Sequence, residues 1–451
     1  MSYCAYITRI KNLRKHTNAD KLLVGQCFGN NVIVSLLTEE GELGIYFPTD
    51  GKLGREYCIE NNLFRKKDKE GNNIGGFLDP EKCKIQALKI RGEKSDGLFM
   101  PLNSLEKFTD VSTLKEGDTV TILNGLKICE KYIPGANNRS YYGNARVSKI
   151  NKRNEKTKAF DFPFFHEHID TSYLAFNTEQ FRKGDMCEIT LKMHGTSQRT
   201  SYTIKENRRE LPCWIGKIVK KLHIEQKPKR KWIYIMGTRR VVVRDLKDGG
   251  FYGNNAFRLR HHNRFVGKLH KGETVYYEIV GFVNDELPIM VDCDNEKTND
   301  KEFIRQFGKT TRFSYGCEKG ESELYVYRMT MANDDGYIVE YPYDLIKIRC
   351  EQIGVKYCPE IERFTFTTID DLMERADKHH DGADPIGGTH VKEGIVVRIE
   401  NREQFTAYKH KNWHFKVLEG IIKDAAKTPD MEEAQELERE DFNEIATRYN
   451  I

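Results

Sequence analysis

The stretch Glu188-Ile-Thr-Leu-Lys-Met-His-Gly-Thr-Ser197 constrains this chain more than any other. A polar/apolar run that reads as a strand leads into Lys192, and Gly195 comes three residues later. A strand fixes where an amine points, and a nearby glycine lets a phosphate approach the backbone closely, so the pattern suits a nucleophilic lysine. Alone it is weak. Lys-x-x-Gly recurs at Lys94-Ser-Asp-Gly97 and Lys247-Asp-Gly-Gly250, so the motifs downstream of Lys192 must decide. Gly237-Thr-Arg-Arg240, Tyr276-Tyr-Glu-Ile-Val-Gly-Phe282, Tyr325-Val-Tyr-Arg328, Lys392-Glu-Gly-Ile-Val-Val-Arg398 and Tyr408-Lys-His-Lys411 come in that order.

A lysine amine titrates near pH 10.4 when free, so a nucleophilic one needs neighbouring cations or a metal to disfavour its ammonium form. Lys409 and Lys411 share one strand face by the period of two and suit that task. They could also hold a phosphate as point charges. Alternating lysines on an exposed edge strand are the plainer reading. Glu393, beside a buried-looking Gly-Ile-Val-Val run, offers oxygen ligands to Mg²⁺ or Mn²⁺.

The ordered set resembles the motifs of the covalent nucleotidyltransferases, the ATP-dependent ligases and capping enzymes. It is most similar to ATP-dependent RNA ligases with an N-terminal OB domain, the type known from Deinococcus and Naegleria. The resemblance covers most of residues 160–420 and, more loosely, the N-terminal region. It implies an α+β chain: an OB-like β-barrel over 1–150, then a nucleotidyltransferase domain of antiparallel sheets with flanking helices over 151–451.

It further implies that Lys192 is adenylylated by ATP, that AMP passes to the 5′-phosphate of an RNA end, and that a 3′-hydroxyl displaces it. Lys192, Lys409 and Lys411 take the catalytic positions. Gly195, Arg239, Glu278 and Tyr327 join them around the nucleotide, with Arg240 and Tyr325 as literal alternatives to Arg239 and Tyr327. Glu393 and Glu278 take the metal positions. Three residues depart from the pattern: Leu191 where relatives usually have glutamate, His194 where many have aspartate, and Arg328 where some have aspartate.

Charged residues make up 31% and the net charge is +5, too little to name a partner. The distribution says more, since residues 205–231 hold ten Lys or Arg against three Glu. That run reads equally as a solvated face or as a phosphate-contacting insertion. Residues 430–444 are acidic. No apolar run approaches the roughly 18 residues of a membrane span. Eleven cysteines without Cys-x-x-Cys spacing read as reduced thiols in a cytoplasmic or nuclear setting, and no secretory signal is evident. A monomer is expected, with no membrane partner.

Short strand candidates fill the first 130 residues: Tyr3–Ile10, Lys21–Cys27, Asn31–Leu37, Lys84–Ile90 and Thr119–Leu123. Thr17–Val24 and Ile90–Leu98 are similar to tRNA-binding OB domains, which makes Lys94 a barrel-turn residue. Ser148–Lys158 reads as a linker, and His166 and His168, without a third ligand nearby, as structural. The insertions 205–231, 283–322 and 377–390 read as surface loops or small added elements. Val417, Leu418, Ile421, Ile422 and Ala425 recur at helical spacing, and Met431–Tyr449 is a second helix candidate. About forty residues lie beyond Lys411, too few for a further OB domain. Another covalent nucleotidyltransferase (a DNA ligase or capping guanylyltransferase), a non-catalytic RNA-binding protein and a tRNA synthetase fragment are the competing readings.

Overall fold

The computed structural model describes residues 3–71, 73–133, 162–207, 229–243, 252–253 and 255–425. The linker, most of the basic run and the second helix candidate therefore lie outside the described residues. Helices are few beside strands, and pairing is mostly antiparallel.

The N-terminal strands track the apolar runs of the sequence. Ala5–Arg9 and Leu43–Phe47 lie at the centre of a four-stranded sheet, flanked by Thr119–Val120 and Leu98–Pro101. Their inward residues Ala5, Ile7, Ile45 and Phe47 are fully buried with Tyr57 and Leu105. Lys11–Lys15, Leu22–Cys27 and Asn30–Ser35 form a separate meander. It packs on the sheet through Ile10, Cys27, Val32, Tyr46 and Phe99. The expected barrel thus takes the form of small sheets packed together, and the described pairings do not close into a ring. Asn12, at a φ of 56°, sits inside the meander's first strand, where its register with the second strand shifts.

Two larger sheets complete the architecture. In the first, Met186–Leu191 lies between Glu360–Thr365 and Gly394–Ile399, and Thr406–Lys411 pairs next to the latter. The edge strand Ser172–Tyr173 adds parallel to Thr406–Lys411. In the second, Thr196–Asn207 lies between Lys229–Gly237 and Glu273–Gly281, with Ser322–Ala332 and Ile338–Glu340 next in order. Met186–Leu191 is buried along five of its six residues because helix Ile369–His380 and the core around Leu372 cover its sheet. Residues 192–195 are where the chain passes from the first sheet to the second. That passage fixes the site.

Two of the insertions read as surface loops or small added elements send side chains into the core. Within 283–322, Ile289, Cys293, Phe303, Phe313 and Tyr315 are buried, and most of these pack with Leu191 and Met193. Within 377–390, Asp384 and His390 are buried. Polar residues dominate these segments by number, but their spaced aromatic and aliphatic side chains have enough apolar area to enter the core. Helix Trp413–Ala425 forms as its spacing predicts, burying Phe415 and Leu418. Among the described residues no helix is long and apolar enough to cross a membrane.

Candidate active site between the two sheets

Lys192 is the first residue beyond its strand, and its N–H donates to the Gly394 carbonyl at 3.0 Å. This bond carries the sheet pairing one step past Leu191 and so aims the side chain. Lys192 Nζ lies 2.9 Å from Glu393 Oε1, and Lys411 Nζ lies 3.4 Å from the same oxygen. Glu393 is buried, with 4% of its side chain exposed. Burial pushes its carboxyl up, but Lys192, Lys411 and His194 outweigh that and hold it below the usual range. It is an ionised carboxylate.

Gly394 lets this carboxylate sit where it does. Its φ is 142°, and a Cβ there would come within 2.1 Å of the His410 carbonyl. Gly195 is tight for a similar reason: a Cβ would meet the Ile279 carbonyl at 2.2 Å. The sequence suggests close phosphate approach at Gly195. The close approach present is to the backbone of the second sheet.

Lys411 also pairs with Glu419 at 2.8 Å, and Glu419 with Lys423 at 3.4 Å, which reaches Asp50 at 3.2 Å. Burial works to lower the Lys411 pKa, but Glu419, Tyr173 and Glu393 raise it well above the ordinary value. Lys409 behaves oppositely. It forms no ion pair among the described residues, and its ammonium lies 4.5 Å from the centre of the Tyr173 ring. Burial, then Lys411 and Lys192, lower it to about 7. Tandem lysines from one strand thus sit in two electrostatic settings, one neutralised and one not.

The other expected residues surround this group less tightly. Glu278, within strand Glu273–Gly281, accepts from Ser197 Oγ at 3.0 Å across the second sheet. Tyr276 pairs with Arg328 and Tyr277 with Val326, so Tyr327 is the extra residue of a β-bulge. A bulge re-aims the side chain it carries. Tyr327 stays half-buried, its hydroxyl 3.2 Å from His168 Nδ1, while Tyr325 is buried in the core with Leu191. That separates Tyr327 from Tyr325, the alternative the sequence offered. Arg239 and Arg240 share Asp170, with Arg239 Nε and Arg240 Nη2 each 2.8 Å from its carboxylate. Both arginines therefore reach the segment that precedes the lysine strand. Neighbouring His168 N–H donates to the Arg239 carbonyl at 3.2 Å.

The three departures from pattern are filled by packing. Leu191 is buried at 1% exposure in the core, where a glutamate would be desolvated. His194 stands edge-on to Phe313 and Phe415, each 4.7 Å away, and burial lowers its pKa to about 4, leaving a neutral imidazole at pH 7. Arg328 pairs with Glu340 and stacks over Tyr276 and Phe405. Sequence reasoning missed Glu419 and Tyr315. Tyr315 accepts the His194 N–H at 2.7 Å and so holds the turn after Lys192. Lys94, the competing lysine, lies on strand Glu93–Asp96 with its ammonium over Trp413.

Solved structures of an RNA ligase from Naegleria gruberi are similar to this chain over most of its length. One solved with PPi has a TM-score of 0.55 at 15% identity, covering 91% of this chain and 97% of that chain. A variant with AMP and Mn gives 0.54 at 15% identity over the same shares. A variant with ATP and Mn gives 0.53 at 15%, covering 92% and 97%. At that identity the likeness is one of fold. The chain has the fold of these RNA ligases. No protein-family model matches it, and no curated protein matches its sequence.

Proposed function

We propose that this chain is an ATP-dependent RNA ligase that joins 3′-hydroxyl and 5′-phosphate RNA ends through a lysyl-AMP intermediate. The convergence of Lys192, Glu393 and Lys411 at the passage between the sheets, with Lys409 beside them, carries the reading. The fold shared with the Naegleria ligase, solved with ATP, with AMP and with PPi, supports it.

The neutral amine of Lys192 attacks the α-phosphorus of ATP. The N–P bond forms, the bond to the β-phosphate oxygen breaks, pyrophosphate leaves and the amine loses its proton. Lys409 and Lys411 hold the α-phosphate and balance the charge that accumulates on it. Tyr327, re-aimed by its bulge, stacks on adenine, and Glu278 accepts from a ribose hydroxyl. An oxygen of an RNA 5′-phosphate then takes the AMP, breaking the N–P bond, and a 3′-oxygen attacks that phosphate as AMP departs. Arg239 contacts the nucleotide or the RNA end.

The residues fit a divalent cation. Glu393 Oε2 is buried without a hydrogen-bond partner, 3.8 Å from His194 Nδ1. Mg²⁺ or Mn²⁺ there would neutralise the triphosphate and compete with Lys192 for the carboxylate.

Incubation with α-labelled ATP and, separately, GTP tests the reading. Label from ATP that survives Lys94→Ala and vanishes in Lys192→Ala is expected. Label from GTP would make it a capping enzyme, and none from either nucleotide in folded protein would leave an RNA-binding protein. The chain carries no kinase or phosphatase motif, so nicks ending in 3′-phosphate should remain open while 3′-hydroxyl nicks close. Unaided joining of the 3′-phosphate ends would contradict the assigned substrate.

A further inference from the structure

His410 stands between the two lysines of its strand, and the alternation of strand side chains turns it to the other face. There it meets helix Ile369–His380. His410 Nε2 lies 2.8 Å from Asp377 Oδ1, and the rings of His410 and His380 are 4.5 Å apart at 50°. Asp377 and His380 are three apart on the helix and so project from one side of it. One ligand atom from each of the three lies within 4.8 Å of the others.

We propose that Asp377, His380 and His410 bind a divalent transition-metal ion of the Zn²⁺ class, clamping helix Ile369–His380 to strand Thr406–Lys411. Two features besides proximity point to it. His380 Nδ1 lies 2.9 Å from the Asp377 carbonyl oxygen, which can only accept, so Nδ1 carries the proton and Nε2 keeps its lone pair. Fixing one imidazole nitrogen on a backbone carbonyl is how metal-binding histidines are oriented. The 2.8 Å between His410 Nε2 and Asp377 Oδ1 need open only to about 3.3 Å for both to ligate one tetrahedral ion at about 2.0–2.1 Å, with the ion in place of the shared proton. Two imidazoles and a carboxylate favour Zn²⁺ and its neighbours over Mg²⁺. This site is separate from the one at Glu393 and does not rest on the ligase reading. Its consequence would fall on Lys409 and Lys411, whose strand the ion would pin.

The test is titration of untagged, metal-free, full-length protein with Co²⁺, read by its visible d–d absorption, with Zn²⁺ then added as competitor. One equivalent should bind and be displaced by Zn²⁺. Affinity should fall at least about tenfold in His380→Ala and in Asp377→Ala, with folding checked by circular dichroism. It should persist in Glu393→Ala and in His379→Ala, whose imidazole pairs instead with Glu362. No saturable band would overturn the proposal and leave an ordinary ion pair between Asp377 and His410. So would a band that survives both His380→Ala and Asp377→Ala, or one lost with Glu393.

Discussion

Lys409 carries the most adjustable charge in the site. Burial and two neighbouring lysines bring it to about 7, so an arriving triphosphate would restore its proton. A base whose value is low in the free protein and higher in the complex takes up a proton on binding, and affinity is lost as pH rises above the lower value. ATP affinity should therefore fall on the order of tenfold between pH 7 and 8.5, and Lys409→Arg should flatten that profile. Calorimetry in buffers of different ionisation enthalpy reads the proton directly, and equal slopes in both proteins would refute the role. Asp384 is a second case. Burial raises its carboxyl to about 7, with Oδ2 unpartnered. Its folded value exceeds the ordinary one, so the stability it contributes is present at acid pH and lost as pH climbs toward and through 7. Asp384→Asn should raise the melting temperature at pH 8, by on the order of a few kcal/mol in stability, and change it little near pH 4. The sequence pointed to Lys192, Glu393, Lys409 and Lys411 through the order of its motifs, and the structure places Lys192, Glu393 and Lys411 together. Asp384 was not legible there, since nothing in a polar loop-like segment announces burial.

At the scale of elements, helix Trp413–Ala425 does more than close a core. Its Glu419 neutralises Lys411 on one side and reaches Lys423 on the other. Glu419→Gln keeps the shape and removes the charge, so Lys411 should turn more fully toward Glu393 and compete with the cation bound there. Single-turnover adenylylation should slow by about tenfold or more while the melting temperature changes little. An unchanged rate would make Glu419 a purely structural partner. The apolar spacing of 417–425 disclosed this helix, but the seven residues between Lys411 and Glu419 carry no periodic signal of their contact. The burial within the insertion 283–322 is hidden in the sequence for a related reason. The insertion's polar and charged residues together outnumber its apolar ones, while Phe303, Phe313 and Tyr315 do the packing. The bulge at Tyr327 was likewise invisible, because its cause is the pairing of two strands about fifty residues apart.

Across the whole molecule, the N-terminal sheets are joined to the site by charge. Asp50 meets Lys423, Asp96 meets Lys416 at 2.5 Å, and Lys84 is buried against the Gly420 carbonyl at 2.9 Å. Helix Trp413–Ala425 thus touches the N-terminal region and the lysine pair at once, a link that two domains read separately from sequence could not reveal. The resemblance did imply antiparallel sheets, and each motif falls on a strand or at its end: Lys192 after Met186–Leu191, Glu278 in Glu273–Gly281, Tyr327 in Ser322–Ala332 and Lys411 in Thr406–Lys411. On the proposed function, this architecture serves one event, the covalent capture of AMP by a single lysine. Intact-mass measurement after incubation with ATP and Mn²⁺ in the absence of RNA, with peptide mapping of the adduct, tests it most directly. The account predicts one AMP per chain on the peptide containing Lys192, released when pyrophosphate is added. An adduct on any other lysine, or none in folded protein, would contradict it.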